Sequence, residues 1–456
     1  MSETSTKPHA KRASGPSVLF LMRSLPTMRR DLPGFMTSLT QHYGHVVRVS
    51  ILNQEGYLLN HPDDVKHVLQ SHSSNYSKDV FALKFLKALL GEGLLTNEGA
   101  SWLQQRRLMQ PAFHRKRLSA LSTIMTDATS VMLERWQDST QHGEVLDIAQ
   151  EMMQLTLRNV GLALLSSDLS DEMDSLGQAF ATYRTLLMQY LFMPFPPLSM
   201  PTPRNRRLQA TISVLDTVIK GIISERRKQN IDTGDLLSTL LQTRDEETGE
   251  GMTDQQVRDE VMTLLLAGHE TTATLLIWTW YLLSQHPEVE DRLHTELDEV
   301  LAGQLPTVEH LPRLSYTRMI LEETLRLYPS TFSMSRKALT DDEIGGYAIP
   351  AKSTILLCPY TTHRHPAFWE NPNVFDPERF SPERAAGRLH FAYFPFGGGP
   401  RQCIGNTFAL MEAQLILATV AQRYTLRLVS DHKVEPEVLL TIRPRHGLPM
   451  TLQQRT

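Results

Sequence analysis

A single cysteine in a glycine-rich segment is the residue of this chain best suited to metal chemistry. Cys403 follows three glycines and a proline at 397–400, which cannot continue a helix or a regular strand. Apolar residues at three- and four-residue spacing from Phe408 to Val420 then predict a helix. Cys403 is therefore predicted to lie on a tight loop before a helix N-terminus, where the helix dipole favours a thiolate.

A thiolate in this position suits a soft or redox-active metal. One cysteine cannot complete a zinc site, which normally takes three or four protein ligands, but it can be the single axial ligand of a haem iron. The alternative is a small buried cysteine beside a glycine-rich turn. The spacing favours the metal site, because the segment fits the pattern Phe-x-x-Gly-x-Arg-x-Cys-x-Gly at Phe396, Gly399, Arg401, Cys403 and Gly405.

A long predicted helix must position a second set of reactive side chains. Thr253-Asp254-Gln255-Gln256 has the pattern of a capping box, and His286-Pro287 ends the helical pattern. A helix over residues 254–285 would be roughly 45–50 Å long. We therefore expect it to cross the core of the protein.

The centre of this helix is polar, with the sequence Ala-Gly-His-Glu-Thr-Thr at 267–272. Ala267 and Gly268 precede Thr271 by four and three residues, so these small residues would leave a groove beside the Thr271 hydroxyl and the Glu270 carboxylate. The alternative is a helix bent by threonine hydroxyls that bond to main-chain carbonyls. A zinc-protease motif is excluded, because the second histidine that it needs is replaced by Ala273.

Composition excludes several classes of function. The chain has 456 residues, a net charge of −4 and a pI near 6.5, which does not favour nucleic acid as a partner. Two cysteines imply no disulfide framework and favour a reducing compartment. Residues 1–15 are predicted to be a flexible tail, and the apolar runs 18–22 and 273–283 are too short to span a bilayer.

Other segments predict the elements around these residues. We expect a β-hairpin at 45–60, helices over 118–166 and 170–230 with a proline-rich break at 193–203, a strand at 333–336, β-structure at 344–350 and 354–359, and a hairpin of 439–444 with 449–452. Residues 75–100 are predicted to be irregular, either a loop that caps the core or a lid over a lipophilic site. The apolar residues at 180–192 are either ordinary core or a roof over a substrate channel.

The segment around Cys403 resembles the haem-binding loop of the cytochrome P-450 family, the haem-thiolate monooxygenases. Other motifs of the family follow in the expected order. Ala267-Gly268-x-Glu270-Thr271 resembles the oxygen-activation motif, and Trp102-x-x-x-Arg106 resembles a pair that holds a haem propionate. Arg336 and Arg401 match the further propionate-binding arginines of the family.

Glu323-x-x-Arg326 resembles the Glu-x-x-Arg pair of the family, with Arg379 as its third partner. The resemblance implies a role in folding and haem incorporation. Taken without the resemblance, Glu323 and Arg326 would be a surface salt bridge that contributes at most about 1 kcal/mol.

The resemblance implies a mainly α protein with small β-sheets. Haem b would be buried between the long central helix and the helix after the Cys403 loop, within a single domain at 16–456. Cys403 would ligate the iron, while Thr271 and Glu270 would deliver protons to bound O2. The reaction implied is hydroxylation or epoxidation of an apolar molecule such as a fatty acid, terpenoid or steroid.

The same resemblance implies a cytoplasmic monomer without a membrane span that receives electrons from a ferredoxin or flavodoxin and its reductase. A basic cluster at 106–107 and 115–117 would dock such a partner, or is simply a solvated helix face. Two other functions remain open: a haem-thiolate enzyme that uses peroxide or performs no oxidation, and a haem-binding sensor without turnover. The Glu270–Thr271 pair argues against both.

Overall fold

We describe a computed structural model that covers residues 11–51, 54–141, 143–166, 173–193, 195–229, 231–245 and 249–455. About 58% of it is helical, with small sheets, which confirms the prediction of a mainly α fold. The helices are α1 Val18–Arg23, α2 Leu25–Arg30, α3 Leu32–Tyr43, α4 Pro62–Lys66, α5 Phe81–Leu90, α6 Gly99–Met109, α7 Arg115–Ala120, α8 Ser122–Gln141, α9 Ile148–Leu165, α10 Met173–Phe192, α11 Pro203–Gln229, α12 Leu236–Gln242, α13 Asp254–Gln285, α14 Pro287–Leu301, α15 Ser315–Leu327, α16 Pro359–Thr362, α17 Pro382–Ala385 and α18 Asn406–Ala421. The strands are β1 Val46–Ile51, β2 Gln54–Leu59, β3 Tyr76–Ser77, β4 Val145–Asp147, β5 Met334–Ala338, β6 Asp342–Ile344, β7 Tyr347–Ile349, β8 Thr354–Leu357, β9 Tyr424–Leu428, β10 Pro436–Val438, β11 Ile442–Pro444 and β12 Pro449–Gln454.

Contacts within the chain form two compact units. The first unit contains Met1–Phe81, described from residue 11, with Thr331–Val374 and Gly387–Cys403. The second unit contains Ala82–Ser330, Phe375–Ala386 and Ile404–Thr456. The single domain expected at 16–456 stays a prediction.

A five-stranded sheet with the order β1-β2-β8-β5-β3 organises the first unit. β1 and β2 pair antiparallel with Val46 opposite Leu59, as the predicted hairpin requires. β2 then pairs in parallel with β8, and β5 joins β8 antiparallel. The buried face of this sheet packs against the short helical turns around it, and the core contains Val46, Tyr57, Leu59, Val65, Leu69, Ile355, Leu357, Phe391 and Phe394.

The first described residues are joined to this unit by their main chain. The amide of Lys11 donates to the Gly346 carbonyl at 3.2 Å, and the Ser14 carbonyl accepts from the amide of Arg48 at 2.8 Å. Ala13 is buried. Residues 11–15 are therefore held in place, so the prediction of a flexible tail is wrong for these five residues. Residues 1–10 lie outside the described part of the chain.

The 32-residue helix α13 is the central element of the second unit. The Thr253 side chain accepts a hydrogen bond from the main-chain amide of Gln256, and the Gln256 side chain accepts one from the main-chain amide of Thr253. The helix ends at Gln285, so both predicted ends are confirmed. Within the described residues α13 is the only helix with the length and apolar composition to cross a bilayer. Its apolar window is 83% buried inside the protein, as in a core helix.

Two predictions of local structure are wrong. The segment 75–100 is not irregular throughout, because α5 forms at Phe81–Leu90 and buries Phe85, Leu86, Leu89 and Leu90. The loop after α5 is attached to α13, since the Asp259 carboxylate accepts the amide of Glu92 at 2.9 Å and that of Glu260 accepts the amide of Leu94 at 3.0 Å.

The C-terminal strands also pair differently from the prediction. β11 pairs with β10, whereas β12 lies between β4 and β9 in a separate three-stranded sheet. The predicted hairpin of 439–444 with 449–452 therefore does not form. β4 was missed because its three residues lie between two strongly helical stretches.

Candidate functional site

Main-chain geometry fixes the loop that carries Cys403. Gly399 has a φ of +65°, and a Cβ there would lie 1.8 Å from the carbonyl oxygen of Leu69, so only glycine fits. The amide of Cys403 donates to the carbonyl oxygen of Phe396 at 3.0 Å and closes the turn. α18 begins three residues later, at Asn406. The Cys403 side chain is exposed, so the alternative of a buried core cysteine does not apply to it.

The second cysteine of the chain has the opposite environment. Cys358 is fully buried after β8, and its sulfur lies 3.4 Å from the carbonyl oxygen of Phe332. Burial raises the pKa of the Cys358 thiol to about 11, so it remains a thiol at neutral pH. Of the two sulfurs, that of Cys403 is the one suited to bind a metal.

Three further predicted site residues lie in the first unit. Arg336 on β5 is buried, and its Nη1 donates to the carbonyl oxygen of Ser335 at 2.9 Å. Phe396 and Arg401 are half-buried at the two ends of the glycine-rich segment. The structure thus brings Phe396, Gly399, Arg401 and Cys403 into one loop.

The centre of α13 has an open face in an otherwise buried helix. Residues 261–266 and 272–280 are buried, but Ala267 is exposed and Gly268 and Thr271 are half-buried. The Thr271 hydroxyl donates to the carbonyl oxygen of Ala267 at 2.7 Å, and the main-chain carbonyl of Thr271 accepts a hydrogen bond from the Ser330 hydroxyl at 2.8 Å. Both predicted features are therefore present at this point of α13: the open face, and the hydrogen bond from a threonine hydroxyl to a main-chain carbonyl that the alternative interpretation expects. The helix remains continuous through these residues.

Glu270, the residue directly before Thr271, is fully buried. Its Oε1 accepts the hydroxyl of Thr441 at 2.8 Å, whereas Oε2 has no hydrogen-bond partner among the described residues. The nearest cation is the buried Arg184, whose Nη1 lies 3.6 Å from Oε2. This buried oxygen therefore keeps capacity for a further hydrogen bond beside the Arg184 guanidinium.

Arg184 and Thr441 were not predicted from the sequence as partners of Glu270. Arg184 is the single cation in the apolar stretch 180–192, and this isolation was a usable signal. The hydroxyl of Thr441 gave no signal, because only the fold brings the segment before β11 to the centre of α13.

A second buried carboxyl group near this position was also missed. Glu412 on α18 is fully buried and accepts the Asn159 amide at 3.0 Å. Burial raises the pKa of Glu412 to about 8, although the hydrogen bond from Asn159 opposes the shift. The carboxyl group is therefore mostly protonated at neutral pH. A lone acid in the apolar sequence of α18 was the available signal.

Trp102 and Arg106 lie one turn apart on α6, as their spacing predicts. Both side chains are half-buried, and Trp102 packs against the main apolar cluster of the second unit. α6 directly follows the loop that Asp259 and Glu260 attach to α13.

Glu323, Arg326 and Arg379 meet in the interior of the second unit. Glu323 Oε2 lies 2.6 Å from Arg326 Nε, and Oε1 lies 2.7 Å from Arg326 Nη2 and 3.3 Å from Arg379 Nε. Oε1 also accepts the amide of Asp376 at 3.0 Å. Glu323 and Arg326 are 0% exposed, so the alternative of a surface salt bridge is wrong.

Comparisons with known proteins agree with this architecture. The family model described as Cytochrome P450 matches residues 13–448. Cyclooctat-9-en-7-ol 5-monooxygenase from Streptomyces melanosporofaciens is 37% identical over 415 residues, which are 90% of this chain and 88% of the relative. Pentalenene oxygenase from Streptomyces avermitilis is 35% identical over 430 residues, which are 94% of both chains.

A solved structure shows the same fold. The crystal structure of the cytochrome P450DA haem domain has a TM-score of 0.89 at 29% sequence identity and covers 99% of both chains. The chain therefore belongs to the cytochrome P450 family. It is an oxidoreductase of the monooxygenase type with haem b as its cofactor.

The buried Glu323 carboxylate gives a stability prediction. We expect Glu323→Gln to destabilise the protein by about 3–5 kcal/mol, because Arg326 would be left as a buried charge without a counter-ion. Thermal unfolding of the purified protein and the yield of haem-loaded protein measure this. Glu322→Gln is the matched control, since Glu322 pairs with the exposed Arg318 on the same helix and should cost at most about 1 kcal/mol. Equal effects of the two substitutions would contradict the importance of the buried pair.

Proposed function

We propose that this P450 hydroxylates or epoxidises an apolar terpenoid, and that Cys403 is the residue that would bind the haem iron. The observation that carries the proposal is the exposed Cys403 side chain on a loop fixed by Gly399 and by the Phe396–Cys403 hydrogen bond. When bound, haem b supplies the iron at which O2 is activated and one oxygen atom is transferred to the substrate.

The side chains present fit this cofactor. A single thiolate is the donor that a haem iron needs from the protein on one side. Trp102, Arg106, Arg336 and Arg401 are proposed to bind the propionates by charge-assisted hydrogen bonds. The exposed Ala267 supports an open α13 face. Gly268 instead allows a close approach to α9, because a Cβ there would lie 3.0 Å from Val160 Cγ2.

Thr271 and Glu270 are proposed to move protons at this face. The Thr271 hydroxyl oxygen can accept a hydrogen bond while it donates to the Ala267 carbonyl, and rotation about the Cβ–Oγ1 bond redirects its own proton. Glu270 Oε2 has capacity to accept a further hydrogen bond. Glu270 and Thr271, on successive residues of one helix, thus supply a carboxylate and a hydroxyl, two kinds of group that can transfer protons.

The substrate class rests on the relatives. Two of them are cyclooctat-9-en-7-ol 5-monooxygenase and pentalenene oxygenase, whose names state terpenoid substrates. The apolar stretches around 85–95 and 180–190 pack together, with the Phe85 and Tyr190 rings 5.0 Å apart and the Tyr183 hydroxyl 3.1 Å from the Phe85 carbonyl oxygen. These side chains are buried in the core. Their burial supports the interpretation that both stretches pack in the core, rather than forming a lid or a roof over a substrate channel.

Electrons are proposed to come from a separate ferredoxin or flavodoxin with its reductase. We also propose a cytoplasmic monomer, consistent with two cysteines and no disulfide framework. In the predicted docking cluster, Arg107 lies 3.4 Å from the Asp245 carboxylate and Arg117 bonds to Thr239. The side chains of residues 115 and 116 are not among those that the structure describes.

The alternative functions make different predictions for turnover. A sensor would form no product, and a peroxide-using or non-oxidative enzyme would form product without NADPH. The retained Glu270–Thr271 pair favours the route that uses O2 and electrons. Product formation that depends on NADPH, O2 and a surrogate ferredoxin with its reductase distinguishes the three.

The ligand role of Cys403 is tested by substitution of each cysteine in turn. We expect Cys403→Ala to abolish the thiolate-specific absorption band of the reduced carbon monoxide complex, because no other thiolate can replace it. Cys358→Ala is the matched control and should keep the full band, since Cys358 is a buried thiol. A full band in the Cys403 variant would refute the assignment.

The role of Thr271 is tested by coupling efficiency. We expect Thr271→Ala to bind haem but to form about tenfold less product per NADPH, with the electrons released as hydrogen peroxide, because the hydroxyl no longer transfers protons. Thr271→Ser should restore coupling. Thr279→Ala serves as the control, since this buried threonine lies two turns further along α13. Unchanged coupling in Thr271→Ala would exclude the role.

The substrate class is tested by a spectral-shift titration of the purified haem protein. We expect cyclic terpenoid hydrocarbons and alcohols to give low-to-high-spin shifts at lower concentrations than fatty acids or steroids of similar size. Product analysis with a surrogate redox partner then checks that the compounds which bind are oxidised. A panel in which only fatty acids shift the spectrum would overturn the terpenoid proposal without affecting the role of Cys403.

A further inference from the structure

Exposed apolar side chains are concentrated in one short segment of the first unit. Among the described residues, 18 large apolar side chains are exposed, and five of them lie within residues 18–25. We call Val18, Leu19, Phe20, Met22 and Leu25 the α1–α2 patch; their side chains are between 42% and 63% exposed. Single exposed apolar residues are normal, but a contiguous group indicates an interaction surface.

The charges of the same segment have one sign. Residues 11–30 contain five basic residues, Lys11, Arg12, Arg23, Arg29 and Arg30, and no Asp or Glu, although the whole chain has a net charge of −4. Arg23, Arg29 and Arg30 are exposed. The next acidic residue, Asp31, is used as the N-cap of α3, where it accepts the amide of Gly34 at 2.9 Å.

The patch is part of the folded structure. Leu21 is buried on the one inward side of α1, and Ser17 caps the helix by accepting the amide of Phe20. The Phe20 ring stacks at 6.4 Å from the ring of Phe35 on α3. The exposure of the patch therefore comes from its position in the fold, because α1 turns all its apolar side chains except Leu21 towards solvent.

We propose that the α1–α2 patch binds the surface of an anionic membrane. Its apolar side chains enter the headgroup region, and its arginines contact lipid phosphates. Interfacial helices combine large apolar side chains with basic residues in this way, and each basic residue near an anionic surface strengthens binding. The purely cationic charge favours a lipid surface over a protein partner, which would have to be both apolar and acidic. Binding would hold the enzyme beside the phase in which apolar compounds dissolve.

The test uses the haem-loaded protein and sedimentation with vesicles. We expect binding to vesicles of phosphatidylglycerol and phosphatidylcholine in equal amounts, weakening as salt increases, and little binding to phosphatidylcholine alone. A variant with Leu19→Ser, Phe20→Ser and Met22→Ser should bind at least about tenfold more weakly. A variant with Arg23→Gln, Arg29→Gln and Arg30→Gln should show a similar loss.

Leu339→Ser is the matched control, because Leu339 is 54% exposed between β5 and β6, outside the patch. It should bind as the wild type does, and the absorption spectrum shows that each variant holds haem. Absence of binding to anionic vesicles, or equal binding by all variants, would overturn the proposal. So would a dimer that forms without lipid and is lost in the Leu19/Phe20/Met22 variant, because the patch would then be a protein interface.

Discussion

A carboxylate in the centre of a buried helix is the constraint on which the second unit depends. Glu270 is fully buried, and an ionised carboxyl group in the interior is very unfavourable without partners. Its partners come from distant segments, Arg184 on α10 and Thr441 before β11. Both segments therefore reach the centre of α13, and the polar helix centre connects α10 and the segment before β11 to this helix.

Two buried glutamates of this unit differ in how completely they are paired. Glu323 accepts hydrogen bonds on both oxygens, at distances of 2.6–3.0 Å, from a neighbouring guanidinium and a main-chain amide. Glu270 has one hydrogen bond and a cation at 3.6 Å. A fully bonded carboxylate gives rigidity but leaves no capacity for another donor. A partly bonded one keeps that capacity, which the proton-moving role that we propose for Glu270 requires.

Local signals in the sequence predicted those parts of the fold that short-range interactions determine. Both ends of α13 were correct because a capping box and a His-Pro pair act within a few residues. The β1–β2 hairpin followed from alternation around a short turn. α5 was missed because its apolar spacing extends over only ten residues and two glycines, Gly91 and Gly93, follow it closely.

Interactions between distant segments could not be read from the sequence. β12 pairs with β4 and β9 rather than with the nearer β11, a choice that sequence spacing does not determine. Motifs located Glu323, Arg326 and Arg379, but their burial became visible only in the fold. Arg184 and Glu412 carried a weak signal as lone charges in apolar stretches, and Thr441 carried none. Sequence reasoning thus found side chains with recognisable motifs and missed the partners that the fold brings to them.

Burial is what separates the chemistry of the two cysteines. Cys358 lies in the sheet region of the first unit, where desolvation disfavours the thiolate and raises the pKa of the thiol to about 11. Cys403 belongs to the same unit, but its loop is held by left-handed glycines against the Leu69 main chain and leaves the sulfur exposed. Replacing Gly399 by any other residue would force the loop away from Leu69. A backbone that only glycine permits therefore holds the Cys403 loop against Leu69 and gives its sulfur an environment unlike the buried one of Cys358.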